Sequence, residues 1–112
     1  PDEQFISGLA MGATGGIGGT YAVMPELFQK VYELYRAGRV TEAAQVQNEI
    51  CRIIYRMCEA HGNLYAVMKA ILKKRGVEIG SVRKPLPALI ESDMAIVDDA
   101  AAMIDAALVK FN

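Results

Sequence analysis

The sequence contains no tryptophan, one histidine and two cysteines, and its charges nearly balance. Twelve lysines and arginines stand against 13 aspartates and glutamates, for a formal net charge of −1. No basic surface for nucleic acid or an anionic membrane is therefore expected. No apolar run approaches the roughly 20 residues of a membrane-spanning helix. A chain of 112 residues has room for one domain with a real core, but not for two.

The two cysteines, Cys51 and Cys58, lie in one predicted helix. At a rise of about 1.5 Å per residue, their Cα atoms would be about 10 Å apart, which is too far for a disulfide. We expect them to be small core residues of a protein in a reducing compartment. Because no second cysteine pair or histidine cluster accompanies them, no metal site is expected.

Hydrophobic side chains recur at helical spacing in five stretches of the chain. Pro25 suits the first turn of the second stretch, and Gly38 follows its end. Thr41 is the expected N-cap of the third helix, which is predicted to end at His61 and Gly62. The predicted helices cover about residues 2–11, 24–37, 41–61, 64–75 and 92–110.

Half of the stretch GATGGIGGTY, residues 12–21, is glycine, which raises the question of a phosphate-binding loop. A P-loop needs a lysine followed by serine or threonine after its last glycine, whereas Gly19 precedes Thr20 and Tyr21. The dinucleotide-binding pattern needs a glycine at its sixth position, where Tyr21 stands. Both motifs fail, and close backbone packing at the mouth of a sheet is the better explanation of the glycines.

Two interpretations of residues 15–21 stay open on the residues alone. The segment is either a loop of an all-α domain or one glycine-flanked strand, whose partner strands would precede Pro1. The chain starts without methionine and enters a helical pattern at once. The second interpretation accounts for this start, with a truncated chain, a cleaved enzyme and a split gene as the alternatives.

Several polar side chains are candidates for a site. Asp2 and Glu3 favour the N terminus of a helix through its dipole, or they form a carboxylate pair that accepts hydrogen bonds from substrate hydroxyls. His61 is interpreted as a residue at a helix C terminus rather than a general base, and Tyr21 is the one tyrosine expected near a site. The remaining tyrosines are expected in the core or an interface: Tyr32, Tyr35, Tyr55 and Tyr65.

Five stretches, read together and in order, resemble the C-terminal part of the N-acetylneuraminate lyase and dihydrodipicolinate synthase family. They are DEQF, SGLAMGATGGIGGTY, MPELFQKVYELYRAG, AVMKAILKKRG and VRKPLPAL. The resemblance implies an α/β fold, the last part of a (β/α)8 TIM barrel followed by C-terminal helices. Residues 1–37 would be the end of the barrel, with the seventh helix, the eighth strand and the eighth helix. Residues 38–112 would be the helical extension.

The resemblance also implies a class I aldolase, in which a lysine forms a Schiff base with pyruvate and no cofactor or metal is needed. The Schiff-base lysine and the proton-relay tyrosine of the family lie upstream of this chain, so no catalytic residue is expected within it. In sialate lyases an Asp-Glu pair binds the hydroxylated part of the sugar acid, and Asp2 and Glu3 match it. The lyases' Gly-Ser pair corresponds to Gly18 and Gly19, so one serine hydroxyl is absent and the particular sugar acid stays open.

The implied function is cleavage or formation of a bond between pyruvate and an aldehyde, with a sialic acid or a related 2-keto-3-deoxy sugar acid as substrate. The alternatives are dihydrodipicolinate synthase, which condenses pyruvate with aspartate semialdehyde, and a non-catalytic helical interaction module. The expected partners are the small-molecule substrate, the missing N-terminal half of the barrel and further copies of the chain. A cytoplasmic homotetramer is therefore expected.

Overall fold

The computed structural model describes all residues from Pro1 to Asn112. The chain forms five α-helices: α1 Phe5–Ala10, α2 Pro25–Arg36, α3 Val40–Met57, α4 Leu64–Lys74 and α5 Met94–Lys110. Three short 3-10 turns accompany them, at Asp2–Gln4, Gly19–Ala22 and Glu91–Asp93. None of the helices is both long enough and apolar enough to cross a membrane.

The helix α2 shows why the periodic pattern predicted helices correctly. Pro25 occupies its first turn, where a missing backbone N–H costs nothing. Leu27, Phe28 and Val31 form its buried face, as expected for residues three and four apart. Gly38 follows the helix with a φ of +78°, a left-handed conformation that glycine adopts without strain.

Several helix boundaries differ from the prediction, most of all in α3. The helix begins at Val40 without a side-chain cap, so the predicted N-cap role of Thr41 is wrong. It ends at Met57 rather than at His61. The backbone N–H of His61 donates instead to the carboxylate of Asp93, a residue distant in sequence. A tertiary hydrogen bond has therefore replaced the helical one.

The first and last helices are also shorter than predicted. The 3-10 turn Asp2–Gln4 precedes α1, and the 3-10 turn Glu91–Asp93 precedes α5. Short 3-10 turns of this kind are common at the N termini of α-helices. The first turn carries the candidate carboxylates Asp2 and Glu3.

No strand forms at residues 15–21, although the family resemblance predicts one there. Residues 15–18 have no regular structure, and Gly19–Ala22 form a 3-10 turn. A strand needs a neighbouring strand to pair its backbone N–H and C=O groups, and the described chain contains none. Gly18 is nevertheless extended, with φ −131° and ψ 146°.

All five helices contribute to one core of 20 buried hydrophobic residues. Within it, α3 packs against α2 and α5 and also contacts the turn Asp2–Gln4. The core crosses from residues 1–37 into residues 38–112. The predicted boundary between the end of the barrel, residues 1–37, and the helical extension, residues 38–112, therefore stays a prediction about the intact protein.

The cysteine prediction is only partly correct. Cys51 is half-buried in α3, whereas Cys58 is exposed. The placement of Cys58 in the core is wrong because α3 ends at Met57 and Cys58 already belongs to its C-cap.

Candidate functional site

The candidate carboxylates and glycines come together around one small cleft of about 190 Å³. The 3-10 turn at the N terminus forms one side, and the glycine segment and the start of α4 form the others. The lining residues are Pro1, Asp2, Glu3, Gly19, Thr20, Ile54, Leu64 and Tyr65. Three of the four predicted substrate-binding residues line this cleft, and the fourth, Gly18, lies next to Asp2. Their role in binding stays a prediction.

The Asp2 carboxylate fastens the glycine segment to the N-terminal turn. Its Oδ2 accepts hydrogen bonds from the Thr20 backbone N–H at 2.9 Å and from the Thr20 hydroxyl at 2.6 Å. Thr20 is buried and Asp2 is half-buried, so both bonds are partly shielded from water. Asp2 thus has a structural role through Oδ2. Its other carboxylate oxygen, Oδ1, makes no hydrogen bond in the structure.

The Glu3 carboxylate, unlike that of Asp2, has no partner within the chain. Its side chain is half-buried at the cleft, and its carboxylate makes no hydrogen bond or ion pair within the described chain. An ionised carboxylate offers two acceptor oxygens and no donor. Glu3 is therefore the acidic group of the pair whose two carboxylate oxygens have no hydrogen-bond donor within the chain.

Different neighbours limit the two candidate glycines. A Cβ added to Gly18 would overlap the Asp2 carboxylate and the Tyr21 ring, so any side chain there would displace the Asp2 anchor. A Cβ added to Gly19 would lie 2.8 Å from Cε1 of Tyr65. Because the Tyr65 side chain is 51% exposed, its ring has room to move.

The structure overturns the expectation for one tyrosine, Tyr65, and places Tyr21 next to the predicted site residue Gly18. Tyr65, expected in the core or an interface, lies in the first turn of α4 and lines the cleft. Asn63 caps that helix by accepting a hydrogen bond from the Tyr65 backbone N–H at 2.9 Å. The cap asparagine and the position of Tyr65 outside the apolar stripe of α4 were the available signals for this placement.

Tyr21, expected near a site, belongs to an aromatic cluster behind Gly18. Its ring centroid lies 4.0 Å from that of Phe28 and 5.9 Å from that of Phe5. Burial raises the pKa of the Tyr21 hydroxyl, and the nearby Asp2 carboxylate raises it further. Tyr21 does not line the cleft and supports it from behind.

His61 belongs to a separate structural site centred on Asp93. The Asp93 carboxylate is fully buried and accepts hydrogen bonds from the backbone N–H groups of His61, Gly62 and Ile90 at 2.9–3.0 Å. Nδ1 of His61 lies 3.1 Å from the same carboxylate. Burial acts to raise the pKa of Asp93, but these hydrogen bonds outweigh burial and hold the pKa well below its ordinary value.

Neither His61 nor Asp93 lines the cleft, and the interpretation of His61 as a structural residue agrees with its contacts. Its predicted place at a helix C terminus is wrong, since it follows the end of α3. No group of three or more histidine, cysteine, aspartate or glutamate residues in the described chain is arranged to hold a metal ion.

Comparison with known proteins places the chain in a family. The model of the dihydrodipicolinate synthetase family matches residues 1–103. The chain belongs to this family. It is 58% identical over 112 residues to the N-acetylneuraminate lyase of Mediterraneibacter gnavus, covering 99% of the chain and 36% of that protein. It is 33% identical over 106 residues to the N-acetylneuraminate lyase of Rhizobium meliloti, covering 92% of the chain and 34% of that protein.

Solved structures agree with this assignment. The wild-type sialic acid aldolase of Ruminococcus gnavus matches with a TM-score of 0.98 and 57% identity, over 100% of the chain and 38% of that protein. The N-acetylneuraminate lyase of Fusobacterium nucleatum matches with a TM-score of 0.84 and 25% identity, over 93% of the chain and 35% of that protein. These likenesses confirm the predicted fold class, the C-terminal part of a TIM-barrel aldolase, and the chain spans about 36% of its curated lyase relative.

Proposed function

We propose that this chain forms the substrate-tail side of a pyruvate-dependent carbon–carbon lyase that acts on N-acetylneuraminate or a closely related 2-keto-3-deoxy sugar acid. One observation carries the proposal. Glu3, whose carboxylate has no partner within the chain, and Asp2, whose carboxylate is anchored to Thr20, both line a cleft of about 190 Å³, in a chain 58% identical to an N-acetylneuraminate lyase.

The cleft suits a polyhydroxylated ligand. Glu3 accepts hydrogen bonds from substrate hydroxyls with both oxygens, and such bonds to an ionised acceptor are stronger than neutral ones. Asp2 contributes Oδ1 while Oδ2 keeps the glycine segment in place. Gly18 and Gly19 present backbone close to the ligand, and the Tyr65 hydroxyl lies beside Gly19, which has no hydroxyl of its own to contribute.

The Schiff-base lysine of the proposed reaction lies outside the described residues. No lysine lines the cleft, and the chain covers 37% of a Ruminococcus gnavus aldolase structure described as a catalytic lysine mutant. In the proposed reaction this lysine forms an iminium with the keto acid, which accepts the electrons of the breaking carbon–carbon bond. No cofactor or metal is needed for this chemistry.

Borohydride trapping of the full-length protein tests the proposed function. Incubation with pyruvate and borohydride is expected to add one reduced pyruvate to a lysine, as measured by intact mass. N-Acetylneuraminate is expected to be cleaved to pyruvate, and aspartate semialdehyde is expected not to be consumed with pyruvate. Absence of the adduct contradicts a Schiff-base mechanism, and consumption of aspartate semialdehyde indicates dihydrodipicolinate synthase instead.

We also propose that the intact enzyme is a cytoplasmic homotetramer. The resemblance to the lyase family supports the tetramer, while the large apolar side chains exposed in this chain would be covered by the rest of the barrel or by a second subunit: Met11 is 89% exposed, Ile17 106% and Val109 81%. Light scattering of the full-length protein after gel filtration checks the subunit count, and a monomeric mass contradicts the tetramer.

A further inference from the structure

A buried glutamine joins the helical extension to the turn that carries the carboxylate pair. Gln47 of α3 is only 3% exposed. Its Oε1 accepts a hydrogen bond from the Ile6 backbone N–H at 2.9 Å. Its Nε2 donates to the Asp2 carbonyl oxygen at 3.2 Å. One amide group therefore bridges the two sides of the turn Asp2–Gln4.

Cys51 adds a third connection from the same face of α3. Its Sγ lies 3.3 Å from the Glu3 carbonyl oxygen, to which the thiol donates, and 3.8 Å from Nε2 of Gln47. Residues four apart on a helix project from the same face, so Gln47 and Cys51 act on the turn together. Both backbone carbonyls of the carboxylate pair, those of Asp2 and Glu3, are thereby held.

These bonds reach the backbone of the residues whose side chains face the cleft. A short 3-10 turn leaves most of its terminal N–H and C=O groups without partners of its own. A buried polar side chain costs free energy unless it is fully hydrogen-bonded, and Gln47 meets this requirement through the turn. An apolar side chain of the same size would preserve the packing of α3 but would release the turn.

We propose that Gln47, assisted by Cys51, is a positioning residue that orients the Asp2–Glu3 carboxylate pair toward the substrate. Gln47 does not line the cleft and acts through the backbone of the turn. The consequence for sugar-acid binding rests on the proposed function, whereas the orientation of the turn does not.

The variant Gln47→Met in the full-length protein tests the consequence for binding. We expect the KM for N-acetylneuraminate to rise about tenfold, since displacement of a binding group by a fraction of an ångström is enough for such a change. The rate of pyruvate trapping by borohydride should stay at the wild-type value. Gln45→Met is the matched control, because Gln45 is exposed on the same helix, and it should change neither quantity.

Two kinetic results would overturn the inference. An unchanged KM in Gln47→Met would show that the glutamine does not orient the pair. A parallel loss of sugar-acid cleavage and pyruvate trapping would show only a general loss of structure. If Gln47→Met does not fold, Cys51→Ala gives the same test: we expect a smaller rise in KM that Cys51→Ser, which keeps a donor, reverses. Equal KM values for the alanine and serine variants would contradict the role of Cys51.

Amide hydrogen exchange tests the orientation of the turn without any assay of activity. The Ile6 amide should exchange faster in Gln47→Met than in Gln45→Met, because its acceptor is lost. Equal exchange overturns the inference. If the wild-type protein neither traps pyruvate nor cleaves N-acetylneuraminate, the proposed function fails, and exchange at Ile6 still decides whether Gln47 holds the turn.

Discussion

At the scale of single residues, Asp2 and Glu3 are neighbours in sequence with different surroundings. Asp2 bonds to the backbone and the hydroxyl of buried Thr20, whereas Glu3 lines the cleft and its carboxylate has no partner within the chain. The helix dipole and a substrate site both favour acidic residues at this position. The geometry separates the two side chains: the Asp2 carboxylate contributes to the fold, whereas the Glu3 carboxylate has no partner within the chain, as its proposed role in ligand binding requires.

The two carboxylates should therefore differ in their contribution to stability. Asp2→Asn should lower the free energy of unfolding by about 2 kcal/mol, the typical loss for hydrogen bonds to a charged group. Glu3→Gln should leave it unchanged within about 0.5 kcal/mol, as for a surface substitution. Urea denaturation of the full-length variants measures both, and equal losses would contradict the assignment of Asp2 as the anchor.

The two glycines should also respond differently to a methyl group. Gly18→Ala should destabilise the protein by about 2 kcal/mol, as overpacking does, because the Asp2 carboxylate and the Tyr21 ring occupy the space. Gly19→Ala should have a smaller effect, since the exposed Tyr65 ring can move. Thermal melting of both variants checks this, and a greater loss for Gly19→Ala would show that Tyr65 is held in place.

At the scale of elements, the Asp93 carboxylate joins the turn after α3 to the start of α5. It accepts hydrogen bonds from His61 and Gly62 on one side and from Ile90 on the other. Gly62 has no space for a side chain, because a Cβ would lie 2.9 Å from the Leu89 backbone. This contact packs the proline-containing segment against the turn that follows α3.

The pKa of Asp93 gives this connection a defined pH dependence. A carboxyl group whose pKa is lowered in the folded state stabilises the fold above its unfolded pKa of about 4, and this stabilisation is lost as the pH falls toward the folded pKa. Asp93→Asn should therefore lower the melting temperature more at pH 7 than at pH 3. Glu91→Gln, an exposed position in the same turn, is the control, and a pH-independent effect of Asp93→Asn would contradict the account.

Helices could be predicted from the sequence because apolar spacing is a local signal. The stripe of α2 and the stop at Gly38 both lie within a few residues of each other in the chain. The position of His61 outside α3 could not be predicted in this way, since its backbone N–H donates to Asp93, 32 positions away. Tertiary hydrogen bonds of this kind cannot be predicted from the spacing of apolar residues.

At the scale of the whole molecule, the site is assembled from segments far apart in sequence. The family resemblance named Asp2, Glu3, Gly18 and Gly19 as candidates. Three of them line the cleft, and Gly18 lies next to Asp2. Nothing in the sequence indicated Gln47, and the sequence suggested a core or interface position for Tyr65, because each contacts the candidate site across more than 40 positions. The predicted strand at residues 15–21 was a fold-level inference, and it requires partner strands that the described chain does not contain.

The kinetics of Glu3→Gln in the full-length protein test whether the Glu3 carboxylate binds the hydroxylated part of the substrate. Steady-state cleavage of N-acetylneuraminate would be measured beside borohydride trapping of pyruvate. If the carboxylate binds the substrate, we expect the KM to be about tenfold higher in the variant, because it loses about one charge-assisted hydrogen bond. Pyruvate should still be trapped at the wild-type rate. An unchanged KM, or an equal loss of cleavage and trapping, would contradict the claim that this carboxylate binds the hydroxylated part of the substrate.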